Sequence, residues 1–148
     1  MRRGTLEKAK RRDAIGFTLE NRSVVRRSTV EEVLAIFKSG DRDVNKAVKM
    51  VQDGENGNQA NMAQAFEQLS DILCGIGHFS KAMELLEAGQ KVCPNSPQMH
   101  ELIARVAFIM ENFDKSIVHN KKAAEMQPKN NCHNHSDIGL AYYRLGIQ

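Results

Sequence analysis

A chain of 148 residues with 41% apolar content can build one core, whereas no apolar run approaches the roughly 20 residues of a membrane span and the amino terminus has no apolar leader. Aromatic residues make up 5%, tryptophan is absent and prolines number 3, a composition suited to close helix packing and unsuited to a β-sandwich. The net charge of +3 is uneven, with nine Lys or Arg against three acids in residues 1–27, and Cys74, Cys93 and Cys132 are too few and too scattered for a disulfide framework.

Residues 1–27 show little sustained periodicity, although Ala14-Ile15-Gly16-Phe17-Thr18-Leu19 could form a short helix. The segment reads as a weakly ordered, solvated flank. Its alternative role is phosphate contact through Arg2, Arg3, Arg11, Arg12, Arg26 and Arg27. Glu7, Asp13 and Glu20 argue against a mitochondrial presequence, which is poor in acids. Residues 28–58 predict a degenerate helical hairpin. Thr29 is the expected cap of its first helix, Glu32 completes a capping box, and Val30, Val33, Leu34 and Phe37 share one face. Gly40 closes this helix. After Asp41-Arg42-Asp43 the same period returns in Val44, Ala47, Val48 and Val51, and Gly54 with Asn56-Gly57-Asn58 stops the second helix.

Further on, the chain matches itself at a shift of 34 residues. Phe79 falls on Phe113, Leu69 on Ile103, Ile72 on Val106, Lys81 on Lys115, Met83 on Ile117, Val92 on Met126 and Pro94 on Pro128. The unit 62–95 divides into helices from Met62 to Gly75 and Ser80 to Val92, and the unit 96–130 into Pro97 to Met110 and Asp114 to Met126. Turns fall at Gly77-His78 and Glu111-Asn112. Ala82, Gly89, Ser116 and Ala123 are small where two helices must approach, and Pro94 and Pro128 prevent continuation. A third unit, 132–148, supplies one helix only, so Ile138, Ala141, Tyr142 and Leu145 are expected to stay partly uncovered, as in a piece of a longer array. The fold class that follows is all-α, an antiparallel helix-hairpin solenoid of about three hairpins plus a truncated last repeat.

No Gly-rich phosphate loop, nucleophile elbow, calcium loop or paired zinc-ligand helix occurs. Cys132, His133 and His135 lie together between Asn130 and Ser136, but tetrahedral zinc needs four convergent ligands and no second pair accompanies them. They read as a polar loop between repeats, and no metal is assigned. Glu67, Asp71, Glu84, Glu87 and Glu101 stand at helical spacing and read as a solvated face. With no catalytic residue and no cofactor motif, the expectation is a protein that is not an enzyme.

The two complete units resemble the tetratricopeptide repeat family, whose signature has a hydrophobic seventh residue, an aromatic seventeenth, a small twentieth and a proline at thirty-two, here Leu69, Phe79, Ala82 and Pro94. Ile138-Gly139-Leu140-Ala141-Tyr142-Tyr143-Arg144-Leu145-Gly146 is similar to the first-helix pattern of that family. The resemblance implies a superhelix with an open concave groove that holds a partner protein or peptide. It also implies that the second, fifth, ninth and twelfth residues of each first helix line the groove. These are Gln64, Glu67, Asp71 and Cys74, then Gln98, Glu101, Arg105 and Phe108, then His133, Ser136, Leu140 and Tyr143.

Three acids there face one arginine, so the implied partner is basic, drawn in by long-range attraction. Family members that clamp a chaperone's terminal carboxylate carry Lys or Arg and Asn where Glu67 and Asp71 stand, so that mode is not implied. Roughly residues 60–146, notably Phe66-Glu67-Gln68-Leu69-Ser70-Asp71-Ile72, Gly77 to Ala82 and Asp114 to His119, are also similar to late repeats of Tonsoku-like proteins. That likeness implies a nuclear scaffold that acts with a partner protein and histones at damaged replication forks, and it favours the nucleus over the cytoplasm.

Overall fold

The structure, a computed structural model, describes residues 27–41 and 43–147. Arg2, Arg3, Arg11, Arg12 and Arg26, with the short helix expected at 14–19, lie outside the described residues, and of Arg27 only the helical backbone is described. Among the described residues every regular element is an α-helix. In chain order these are α1 (Arg27–Lys38), α2 (Val44–Gly54), α3 (Gln59–Gly75), α4 (Phe79–Val92), α5 (Pro97–Ile109), α6 (Phe113–Met126) and α7 (Cys132–Gly146).

Short polar side chains start α2, α3 and α6 by accepting from amides that have no intrahelical partner. Asp43 Oδ1 accepts from Asn45 N at 3.0 Å and Lys46 N at 3.3 Å, opening α2. Asn58 Oδ1 accepts from Asn61 N at 3.0 Å to open α3, and Asn112 Oδ1 from Lys115 N at 3.3 Å to open α6. Pro97 stands at the start of α5, where a missing amide hydrogen leaves no bond unmade.

The self-match at 34 residues is a match in backbone as well. Gly77 (φ 85°) and Glu111 (φ 62°) both take the left-handed conformation at the end of a first helix. The following amides close equivalent bonds, from His78 N to Leu73 O and from Asn112 N to Ala107 O, both at 2.8 Å. Phe79 and Phe113 then begin the second helices at the same place.

Successive helices pack as antiparallel hairpins, and first helices also meet first helices: α1 lies against α3, and α3 against α5. One continuous core runs from Val30 and Val33 through Phe66, Leu69, Leu85 and Leu86 to Met99 and Ile103. A smaller cluster of Phe113, Ile117, Ile138 and Ala141, flanked by Phe108 and Leu145, joins α6 to α7. The smallest residues set the closest approaches. A Cβ at Gly89 would stand 2.9 Å from the Phe66 ring, and one at Gly54 would stand 2.5 Å from Thr29 Oγ1.

Three local expectations need correction. Thr29 is inside α1, which begins at Arg27; its side chain is buried against Gly54 and does not cap the helix. Cys132, His133 and His135 form the first turns of α7 and are not a loop. Of the residues expected to remain partly uncovered on α7, Ile138 and Ala141 are instead buried against α6, while half-buried Leu145 and exposed Tyr142 are as expected. The apolar surface left open there is Leu140, Tyr142, Tyr143 and Ile147. The reason is the roll of α7, which turns its small and branched side chains toward Phe113 and Ile117. Ile72, aligned with the buried Val106, is itself 40% exposed.

Candidate binding groove

Glu101, Arg105 and Phe108 follow one another at helical spacing on α5, and His133, Asp137 and Leu140 do so on α7, so two stripes confront each other. Between them lies a cavity of about 600 Å3, floored by Ser116 and Asn120 of α6 and reaching Glu67 of α3. Its size is that of a binding cleft for a small ligand or a few side chains.

Side chains link α5 to α3 and α7 to α5. Gln98 Nε2 donates to Glu67 Oε1 at 2.8 Å, and His133 Nε2 stands 2.5 Å from Glu101 Oε2. Arg105 leans toward α3, placing its guanidinium 3.5 Å from Glu67 Oε2 and 3.8 Å from Asp71 Oδ1. The acid-rich stripe read from the sequence is thus partly neutralised within the protein at its α3 side. These pairs are exposed enough that each contributes little stability.

Glu101 is held differently. Gln127 Nε2 donates to Glu101 Oε2 at 2.6 Å and Asn134 Nδ2 donates to the same oxygen at 2.9 Å, beside His133. Asn134 is fully buried, accepts from Gln127 at 2.9 Å and donates to Asn120 Oδ1 at 3.3 Å. Burial pushes the Glu101 carboxyl up, but the hydrogen bonds from Asn134, His133 and Gln127 outweigh it and hold the group below its ordinary value. Glu101 is therefore a fixed carboxylate with its Oε2 edge turned to the protein.

Of the residues assigned to the groove from sequence, Glu67, Gln98, Glu101, Arg105, Phe108, His133 and Leu140 line the cavity, whereas Cys74 and Ser136 do not. Asp71 stands at its edge through Arg105. Gln64, half-buried on α3, and Tyr143, 64% exposed on α7, do not line it. Phe108 is fixed from behind by an edge contact with Phe113 at 5.1 Å and by the Arg144 guanidinium at 5.5 Å. Asn120, Gln127 and Asn134 were not among the residues assigned, yet two of them carry a signal. At the 34-residue shift Asn120 replaces the buried Leu86 and Gln127 the buried Cys93, two polar residues at core positions.

The same shift places His100 on Phe66 and His119 on Leu85. The two imidazoles meet Nδ1 to Nδ1 at 3.0 Å, and Gln90 Nε2 lies 3.1 Å from His100 Nε2. Burial lowers the pKa of both, with Lys122 adding to it for His100, and that of His119 falls to about 4 with the help of His100, Lys122 and Lys115. Among the cysteines, burial pushes the Cys93 thiol up to about 11, and burial with the Asp71 charge raises Cys74. Among the described residues no three His, Cys, Asp or Glu side chains converge as metal ligands, and no helix is long and apolar enough to cross a membrane.

No protein-family model matches the chain, and no curated protein matches it significantly. Among solved structures, the first TPR domain of Spaghetti (RPAP3), bound to the HSP90 peptide SRMEEVD, superposes with a TM-score of 0.54 at 13% sequence identity. The superposition covers 82% of this chain and 97% of that one. The fold is tetratricopeptide-like. In this tetratricopeptide-like frame the ladder has a repeating grammar: the second residue of a repeat, Gln98 or His133, reaches back to the fifth residue of the preceding one, Glu67 or Glu101.

Proposed function

We propose that the protein is a non-enzymatic interaction scaffold that holds a segment of a partner protein in the groove between its first helices. The observation that carries this reading is the cleft of about 600 Å3 between α5 and α7, whose walls are held by hydrogen bonds and ring contacts before any partner arrives. The peptide SRMEEVD held by the TPR domain of Spaghetti supports the use of such a fold for peptides. That peptide is acidic, whereas Glu67, Asp71, Glu101 and Asp137 on the groove side here favour a basic segment.

The likeness of residues 60–146 to Tonsoku-like proteins supports a nuclear setting, with a histone or replication-repair protein as the partner. A second reading, in which residues 1–27 contact nucleic acid and the repeats only position them, is favoured by their nine basic against three acidic side chains.

The two readings separate in one set of experiments on the full chain. Capture of a basic protein segment from nuclear extract is expected to fail with Glu67→Lys and with Glu101→Lys while the helical signal is kept. Capture that survives both reversals would refute the groove reading. Retention on DNA or RNA that falls steeply with salt, and is lost when Arg2, Arg3, Arg11, Arg12, Arg26 and Arg27 are neutralised, would establish the second reading.

A further inference from the structure

The α7 side of the groove differs in kind from the α3 side. Glu67 has both oxygens engaged, Oε1 by Gln98 and Oε2 by Arg105, and Asp71 also faces Arg105. At Glu101 the three protein donors, from His133, Asn134 and Gln127, converge on Oε2 alone. Its Oε1 edge accepts from no described side chain, and the residue lines the cavity. Asp137, across the cleft on α7, lines the same space and has no ion-pair partner among the described residues. The cavity wall holds no lysine, and its one arginine, Arg105, is drawn to the opposite side. Beside these acids, Phe108 and Leu140 give an apolar strip on facing helices, and Leu140 remains about half exposed.

A carboxylate edge with free lone pairs next to an apolar strip matches a long side chain that is aliphatic along its stem and cationic at its tip. Building on the groove reading above, we propose that this end of the cleft receives one lysine or arginine side chain of the bound segment. The cation sits between Glu101 Oε1 and Asp137, and the methylenes lie along Phe108 and Leu140. Asn134 and Gln127 are positioning residues, since they set the Glu101 rotamer and leave its other edge for the guest.

Glu101→Gln tests this sharply. The amide keeps its carbonyl oxygen toward the three donors and therefore turns its NH2 group into the cleft, replacing the free acceptor by a donor without removing volume.

A random dodecapeptide display library panned on the full 148-residue chain supplies the probe. Enriched peptides are expected to share one lysine or arginine. Replacing that residue with norleucine, or using Glu101→Gln protein, should weaken binding about tenfold or more. Asp137→Asn should weaken it less, and Glu67→Gln least. Enrichment of peptides without a shared basic residue would overturn the anchor while leaving the groove reading intact. Equal binding by a Glu101→Gln protein with unchanged helical content would do the same. Enrichment of no peptide at all would overturn the groove reading and the anchor with it. If Glu101→Gln does not fold, the norleucine replacement and Asp137→Asn decide the matter.

Discussion

Gly77 and Glu111 occupy the same left-handed position one repeat apart, yet only the first is a glycine. A side chain with a Cβ at such a φ is strained by about 1 kcal/mol or more. Nothing stands within 4 Å of a Cβ built at Gly77, so Gly77→Ala isolates backbone strain from packing and is expected to lower stability by about 1 kcal/mol in urea denaturation. Glu111→Gly should act in the opposite sense. It removes strain at the cost of a more flexible unfolded chain and of the exposed 3.8 Å pair with Arg144, for a net gain below about 1 kcal/mol. A loss of stability in Glu111→Gly would mean that the Arg144 pair, and with it the position of α7, matters more than its exposure suggests.

Considered as elements, the two complete hairpins share a backbone and differ in what fills them. Between α3 and α4 the interior is Phe66, Leu85, Leu86 and Gly89, whereas the equivalent space between α5 and α6 holds His100, His119, Asn120 and Ala123. The polar residues of the second hairpin give α7 its place: Asn134 bridges Asn120 of α6 and Glu101 of α5 from within the packed interface. Asn134→Ala leaves the buried Asn120 Oδ1 without its donor and removes one of the three donors to Glu101, at a cost of about 1–3 kcal/mol. That loss should be local. Amide hydrogen exchange of α7 is expected to accelerate about tenfold or more while α3 and α4 keep their protection. Uniform acceleration through all helices would show that α7 does not open separately from the rest.

For the molecule as a whole, the His100–His119 pair, buried at His100 and half-buried at His119, makes stability depend on pH. Both imidazoles have their pKa lowered on folding, His119 to about 4, so the native state stays neutral while the unfolded chain takes up protons as pH falls past about 6.5. Stability is therefore full above pH 7, declines through the range between 6.5 and 4, and loses no more to His119 below that. Glu101 acts in a separate, lower window. Its pKa is lowered from 4.5, so its contribution is present above that pH and is lost as the native carboxyl protonates. Between pH 7 and pH 5 the His100–His119 pair contributes about 1–2 kcal/mol after allowing for partial exposure. The double change His100→Phe and His119→Leu restores the residues of the first hairpin and is expected to flatten thermal stability across that range. A slope as steep as the parent's would place the pH dependence elsewhere.

The 34-residue register, the helix stops at Pro94 and Pro128 and the apolar stripes were sufficient to determine an all-α hairpin solenoid, because each depends on neighbours within a turn or a repeat. Part of the groove was legible for the same reason, since the fifth and ninth positions of a first helix face one way whatever packs behind them. What those positions meet was not legible. The bonding of Arg105 with Glu67 and Asp71 depends on the stacking of α3 and α5, and the roll that buries Ile138 and exposes Tyr143 depends on how α7 seats against Phe113. The three donors on one edge of Glu101 come from the link after α6 (Gln127) and from α7 (His133 and Asn134). Their convergence is a property of packed helices at distances of about 3 Å, and side chains far apart in sequence reach such distances only once the tertiary structure has formed.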